Sequence, residues 1–206
     1  VPLSKPASMT LPARTTRAAP SPIDLNYARP IHMKPLYLFL APGFEEIEAI
    51  TILDVLRRAQ LNVVSVSLTG DLTVTGAHGI AVLADTLYPD VDLAEAALLI
   101  LPGGMPGTNN LNVHEGLKKA IKSHATAGKP VAAICAAPLI LGQLGLLAGK
   151  EATCYPGYEQ HLVGARLSKK AVVQDGLFLT GNGPGAAARF ALQIVNDFRG
   201  EELAKE

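Results

Sequence analysis

The chain lacks what several broad classes of protein require. Its 206 residues hold two cysteines, Cys135 and Cys154, with no CxxC pair and no Cys/His ligand spacing. That excludes a disulfide framework and a zinc module, and it points to a reducing, cytoplasmic setting. Net charge is also missing, with 18 basic side chains against 18 acidic. Neither a basic surface for nucleic acid nor a polybasic membrane patch is expected. No apolar run approaches the roughly 20 residues that a bilayer span needs. Nothing in the sequence calls for a cofactor or a metal. What is present is a 49% hydrophobic and 17% charged composition. That suits a soluble globular protein with one sizeable core.

The first 33 residues are a different material from the rest. They hold six prolines, and Lys5, Arg14, Arg17 and Arg29 face one acid, Asp24. Such a segment cannot bury enough apolar surface to fold by itself. It is read as a disordered leader, or as residues ahead of a natural start at Met33. Its Arg/Ser bias also resembles a transit peptide, the weaker alternative. Residues 34–206 are expected to form a single domain.

Within that body, strands and helices alternate. Leu36–Leu40 is a short apolar run closed by Ala41-Pro42-Gly43, a buried strand meeting a turn. Glu45–Ala59 has helical spacing, with Ile52, Val55, Leu56 and Ala59 on one face. Asn62–Ser67 is a β-branched strand, and Leu72–Thr75 with Ile80–Ala84 predicts a hairpin. Ala97–Leu101 and Val131–Ile134 are unbroken apolar strands, separated by a helix over His114–Ala127. Pro138–Leu147 predicts an apolar helix. Ala152–Tyr155, Ala171–Gln174 and Leu177–Thr180 predict strands, and Gly185–Phe198 a closing helix. Continuous apolar strands between helices imply an α/β fold, a doubly wound and mostly parallel sheet with helices on both faces.

In such a sheet, sites form beyond the carboxyl ends of the strands. Three ends here are chemically unusual and meet if their strands are neighbours. At Ala133-Ile134-Cys135-Ala136-Ala137-Pro138 a strand runs straight into a helix, the layout of a nucleophile elbow with sulfur in place of serine. Helix-start amides would favour a thiolate there and lower its pKa. The plain alternative is a buried structural cysteine. Glu48 lies four residues before Ile52 on the apolar stripe, so its carboxyl is expected to be buried, with a raised pKa. It could hold and pass a proton, or merely favour the helix start. Glu46 is expected to be solvated. Gly103-Gly104 closes a strand and can offer backbone N–H groups to an oxyanion, or form an ordinary tight turn. Gly183-Pro184-Gly185 reads the same way with less force. Cys154 could be a resolving thiol, but with no activating feature around it the residue is read as structural or peripheral, and His114, His124 and His161 are read as surface residues in helices.

These segments together carry a resemblance. LFLAPGFEEIEAITILDVLRRA (38–59), LLILPGGMPGTNNL (98–111), PVAAICAAPLIL (130–141) and GLFLTGNGPGAAARFALQIV (176–195) resemble the ThiJ/PfpI superfamily, in the branch of the parkinsonism-associated protein deglycase. The resemblance implies a flavodoxin-like fold and a homodimer. It implies a nucleophilic, oxidisable cysteine at Cys135, a buried acid at Glu48, an oxyanion-side glycine at Gly104 beside Gly103, and Ala136 as the residue after the nucleophile. It implies a cofactor-free enzyme that turns small 2-oxoaldehydes into hydroxy acids, of the glyoxalase and deglycase type, serving carbonyl and oxidative stress protection. A redox sensor or chaperone built on the same cysteine is the second implication, and a peptidase the third. Two positions depart from the family pattern. Tyr155 stands where many members carry a histidine, which disfavours a Cys–His pair because tyrosine is a poor base at neutral pH. His78 stands where some relatives carry an arginine. Both are kept as supporting candidates.

Overall fold

The structure is a computed structural model, and it describes residues 34–205. The reading of the leader therefore lies outside the described residues. In chain order the elements are β1 (Leu36–Leu40), α1 (Glu46–Arg58), β2 (Val63–Ser67), β3 (Thr73–Thr75), β4 (Ala81–Leu83), β5 (Thr86–Leu87), β6 (Leu98–Leu101), α2 (Gly107–Val113) and α3 (Glu115–Thr126). Then follow β7 (Val131–Ile134), α4 (Pro138–Gln143), β8 (Glu151–Ala152), β9 (Arg166–Leu167), β10 (Val172–Asp175), β11 (Phe178–Gly181), α5 (Ala187–Arg199) and α6 (Glu201–Lys205).

Seven strands form one sheet in the order β10-β11-β7-β6-β1-β2-β5. Neighbours run parallel except β10 against β11. Both faces are covered, which is why the strands read as unbroken apolar runs. In β1, Leu36, Leu38 and Leu40 enter the core beneath α1 and α5, with Ile52, Leu56, Phe190 and Ile194. Tyr37 and Phe39 point the other way, into the core with Leu117 and Ile121 of α3 and Leu139 to Leu141 of α4. Each such Leu or Ile contributes roughly 1.5–3 kcal/mol by leaving water. This is the expected flavodoxin-like arrangement, mostly parallel with helices on both faces. No helix among the described residues is long and apolar enough to cross a membrane.

The differences from the sequence reading are local. The strand expected over Ala152–Tyr155 pairs just at Glu151–Ala152, because its partner β9 is two residues long. Thr153–Tyr155 turn away toward Cys135. The helix expected from His114 starts one residue later, with the His114 side chain capping it by accepting from Leu117 N–H at 3.0 Å. The closing helix starts at Ala187, after a single 3-10 turn over Pro184–Ala186. Helix α2 and the edge strand β5 were not expected. The first is seven residues with little apolar periodicity, and the second is two residues.

Candidate active site

Strands β1, β6 and β7 are neighbours, so the three unusual strand ends do converge. Cys135 follows β7 directly and takes φ +64°, a left-handed conformation that costs a non-glycine residue about 1–2 kcal/mol. Both of its peptide groups are tied down against that cost. Its N–H donates to the Gly181 carbonyl at 2.8 Å, and its carbonyl accepts from Tyr155 N–H at 2.7 Å. The next turn closes through Ala137 N–H on the Ile134 carbonyl at 3.1 Å. The sequence reading of an elbow holds in its backbone geometry. The residue is 8% exposed, so little of it reaches water.

Glu48 reaches that sulfur from the first turn of α1. Its position on the Ile52 stripe buries it completely. Oε2 accepts from Gly103 N–H at 2.7 Å, while Oε1 is buried without a hydrogen-bond partner of its own. The carboxyl also interacts with the Cys135 thiol. Burial raises the Glu48 pKa to about 7, and the Gly103 amide holds it back. The raised value agrees with the sequence reading. Gly103 is glycine for a steric reason. A Cβ there would stand 2.5 Å from Cys135 Cβ, 2.9 Å from Glu48 Oε2 and 3.0 Å from Cys135 Sγ. Its N–H is committed to the acid. Gly104, at φ +89°, and Ala136 turn their amides on the sulfur instead.

The thiol corrects one expectation. Its pKa is not lowered; it is pushed up to about 12, first by burial and then by the neighbouring Glu48 carboxylate. The Gly104 and Ala136 amides act in the opposite direction and do not prevail. Two buried acids in contact cannot both be charged cheaply. Near neutral pH the sulfur therefore keeps its proton.

The remaining candidates fall around this pair. Tyr155 is 45% exposed, with its ring against Gly183 and edge-on to Tyr158 at 6.4 Å. Gly183 thus borders the site, which its sequence did not require. His78 stands exposed on the loop between β3 and β4. Its Nδ1 sits 2.7 Å from Glu46 Oε2, and its own N–H donates to Glu46 Oε1 at 2.7 Å. Glu46 is consequently buried and not solvated, with its pKa lowered although burial alone would raise it. Glu45, Glu46 and His78 bring ligand-type atoms within 4.8 Å of one another. Both oxygens of Glu46 are already used in fastening the β3–β4 loop to α1. Cys154 is buried in the hydrophobic cluster on the other side of the sheet from that of Cys135, and burial raises its pKa to about 11. His161 stands in a 3-10 turn at intermediate exposure. His124 contradicts the surface reading. It is 4% exposed, and neither ring nitrogen has a hydrogen-bond partner. The signal was present, since Leu117, Ile121 and His124 share one helical stripe. A cleft of about 190 Å³ between β6, β11 and α5 lies at the other end of the sheet, lined by Leu98, Pro130, Leu179 and Phe198. It is remote from the sulfur.

A strained strand-end thiol over a parallel sheet, with a buried acid pressed against it, defines an α/β protein of the nucleophile-elbow type. The chain belongs to the DJ-1/PfpI family, whose family model matches residues 34–197. It is 37% identical over 175 residues to protein dj-1beta of Drosophila melanogaster, covering 84% of this chain and 94% of that one. It is 38% identical to DJ-1 homolog B of Arabidopsis thaliana, again over 84% of this chain but 40% of the plant protein's length. A deglycase of Pyrococcus abyssi is 34% identical over 114 residues, 54% of this chain and 68% of that one. Among solved structures, oxidized DJ-1 of Toxoplasma gondii superposes with a TM-score of 0.79 at 34% identity, over 83% of this chain and 94% of that one.

Proposed function

We propose that this chain is a cofactor-independent cysteine enzyme that converts small 2-oxoaldehydes to 2-hydroxy acids, methylglyoxal to lactate being the simplest case. The observation that carries the reading is the Glu48 carboxyl lodged against Cys135, with the Gly104 and Ala136 amides turned on the same sulfur. Glu48, poised near neutrality, takes the thiol proton as sulfur bonds to the aldehyde carbon. The carbonyl oxygen gains negative charge beside the two amides and then receives that proton, giving a hemithioacetal. The C–H proton of that carbon is next removed and returned to the neighbouring carbon, while the hemithioacetal O–H proton passes to the ketone oxygen, which becomes the new hydroxyl. This leaves a thioester of the hydroxy acid. Water cleaves the C–S bond, releasing the acid and restoring the thiol. One water is consumed, and no oxidant or reductant is needed.

The buried thiol favours a small aldehyde over a folded protein substrate, which speaks against a peptidase. The deglycase name of the Pyrococcus relative supports the same class. The reading takes the body as one cytoplasmic domain acting in carbonyl stress, and as a homodimer. Ile47 and Ile50, 58% and 43% exposed on adjacent turns of α1, offer apolar surface for a second copy. The test is lactate formation from methylglyoxal by purified protein. Cys135→Ser and Cys135→Ala should abolish it, and wild-type activity should rise with pH through about 7 as Glu48 ionises. Full activity in either variant ends the reading.

A second reading, a redox sensor, is favoured by the oxidized state of the Toxoplasma relative. There Cys135 would gain two oxygens from peroxide, with protonated Glu48 donating to the sulfinate. Intact mass after mild peroxide checks it, against Cys135→Ala.

A further inference from the structure

The loop joining β3 to β4 is fastened against the start of α1, and the fastening gathers three side chains of metal-ligand type. Ala77 N–H donates to the Phe44 carbonyl at 2.8 Å, and His78 N–H donates to Glu46 Oε1 at 2.7 Å. A Cβ at Gly76 would collide with the Glu46 carboxyl, so the loop backbone closes over that side chain. Glu45 is rooted separately, its N–H donating to the Gly103 carbonyl at 2.9 Å. These bonds bring His78 Nδ1 to 2.7 Å from Glu46 Oε2 and 3.8 Å from Glu45 Oε2. One ligand atom of each residue lies within 4.8 Å of the other two. A zinc-type cation bonded at roughly 2.0–2.2 Å needs donor pairs about 3.0–3.4 Å apart. The two separations from Nδ1 stand on either side of that range. Holding the loop needs Glu46 alone. Glu45 adds a second carboxylate facing the same nitrogen, beyond hydrogen-bond distance. Among the described residues, the ion pairs of both acids go to His78, and no Lys or Arg joins them. With a neutral imidazole, two adjacent carboxylates then face one point without a full counter-charge, which a dication would supply. All three residues belong to one chain, so the cluster is whole whether or not a second copy lies on Ile47 and Ile50.

We propose that Glu45, Glu46 and His78 form a binding site for a divalent transition cation of the zinc class, held by one imidazole nitrogen and two carboxylate oxygens with water at its remaining positions. The ion enters between Nδ1 and Glu46 Oε2 in place of the proton they share, and that proton leaves to solvent. Glu46 Oε1 keeps the His78 amide, so the loop stays fastened while the exposed ring swings a few tenths of an ångström outward. Glu45 Oε2 moves inward to complete the set. An imidazole among carboxylates suits zinc, cobalt or nickel, whereas magnesium and calcium take shells of oxygen. The bound ion ties α1 to a loop 32 residues further on, so it stabilises the fold as well as occupying the site. It uses neither Cys135 nor Glu48.

The experiment is calorimetric titration of zinc chloride into the full-length chain, stripped of metal, without a histidine tag, and held above the imidazole range at about pH 7.5. Wild type should take up one ion per chain. His78→Ala and Glu45→Gln should each weaken uptake at least about tenfold, and zinc should raise the Tm of wild type but not of His78→Ala. Glu45→Gln decides between a site and a mere fastening, because it leaves the contacts of Glu46 with the loop in place. Cobalt in place of zinc should give visible d–d bands that vanish in His78→Ala, the sign of a nitrogen ligand. Cys135→Ala and Cys154→Ala should bind zinc as wild type does. No uptake by wild type, or uptake unchanged in Glu45→Gln and His78→Ala, overturns the proposal. Uptake lost in Cys135→Ala overturns it too, by putting the ion on the thiol.

Discussion

Two buried groups pull the acid stability of this protein in opposite directions, and each can be removed singly. Glu48 is held at about 7 in the fold and titrates near 4.5 when unfolded. Its folded form therefore binds a proton before the unfolded form does, and it adds stability as the pH falls through 7. His124 is the reverse. Burial among Leu117 and Ile121, with Lys129 nearby, lowers it from 6.5 to about 4. The unfolded chain binds that proton first, so stability is lost as the pH falls below 6.5 toward 4. At about 1.4 kcal/mol per pH unit, the step from pH 7 to pH 5 changes the Glu48 contribution by about +2 kcal/mol. The same step changes the His124 contribution by about −1 to −2 kcal/mol, allowing for screening on the outer helix layer. Wild type should thus vary little over this interval, and urea unfolding at pH 7 and pH 5 resolves the two parts. Glu48→Gln should lose about 2 kcal/mol relative to wild type on going to pH 5. His124→Leu should gain about 1–2 kcal/mol relative to wild type over the same step. Curves for Glu48→Gln and wild type that stay parallel would refute the reasoning, because an acid ionised in the fold at both pH values leaves no such difference.

Two other predictions follow from the same geometry. Gly103→Ala places a methyl between Cys135 and Glu48. It should cost about 1–3 kcal/mol in urea unfolding and at least tenfold in lactate formation, more than Gly185→Ala, where a Cβ meets nothing within 4 Å. Cys135→Gly should unfold at higher urea than Cys135→Ala, by about 1 kcal/mol, because glycine alone is at ease at φ +64°; equal midpoints would show that the elbow is unstrained.

Most of the sheet was legible because burial on both faces writes itself as unbroken apolar runs. Leu36–Leu40, Leu98–Leu101 and Val131–Ile134 are strands for that reason, and their order brings the three unusual ends together. Glu48 was legible from its phase on α1. Glu46 was not, because what buries it comes from His78, 32 residues away, and no local spacing encodes that contact. Helix α2 escaped because Thr108-Asn109-Asn110 interrupts any apolar repeat. His124 shows a different failure. Its stripe with Leu117 and Ile121 was readable, and the preference of histidine for surfaces was allowed to override it.

The ionisation of Cys135 could not be read from the elbow alone, and the reason bears on how such a thiol reacts. The motif supplies amides at a helix start, and these do stabilise a thiolate. It says nothing of how much water is removed or which group is pressed against the sulfur. Here burial and an adjacent carboxylate outweigh two backbone amides, so the resting thiol is protonated. In the proposed reaction, reactivity then belongs to the pair and not to the sulfur alone. One proton moving from Cys135 to Glu48 creates the nucleophile and removes the negative charge that opposed it in the same step. An acid held near 7, and not at its free value, brings the carboxylate's proton affinity closer to the thiol's and makes that transfer less uphill. The desolvation that makes the isolated thiol a poor acid is thus what turns its neighbour into a usable base.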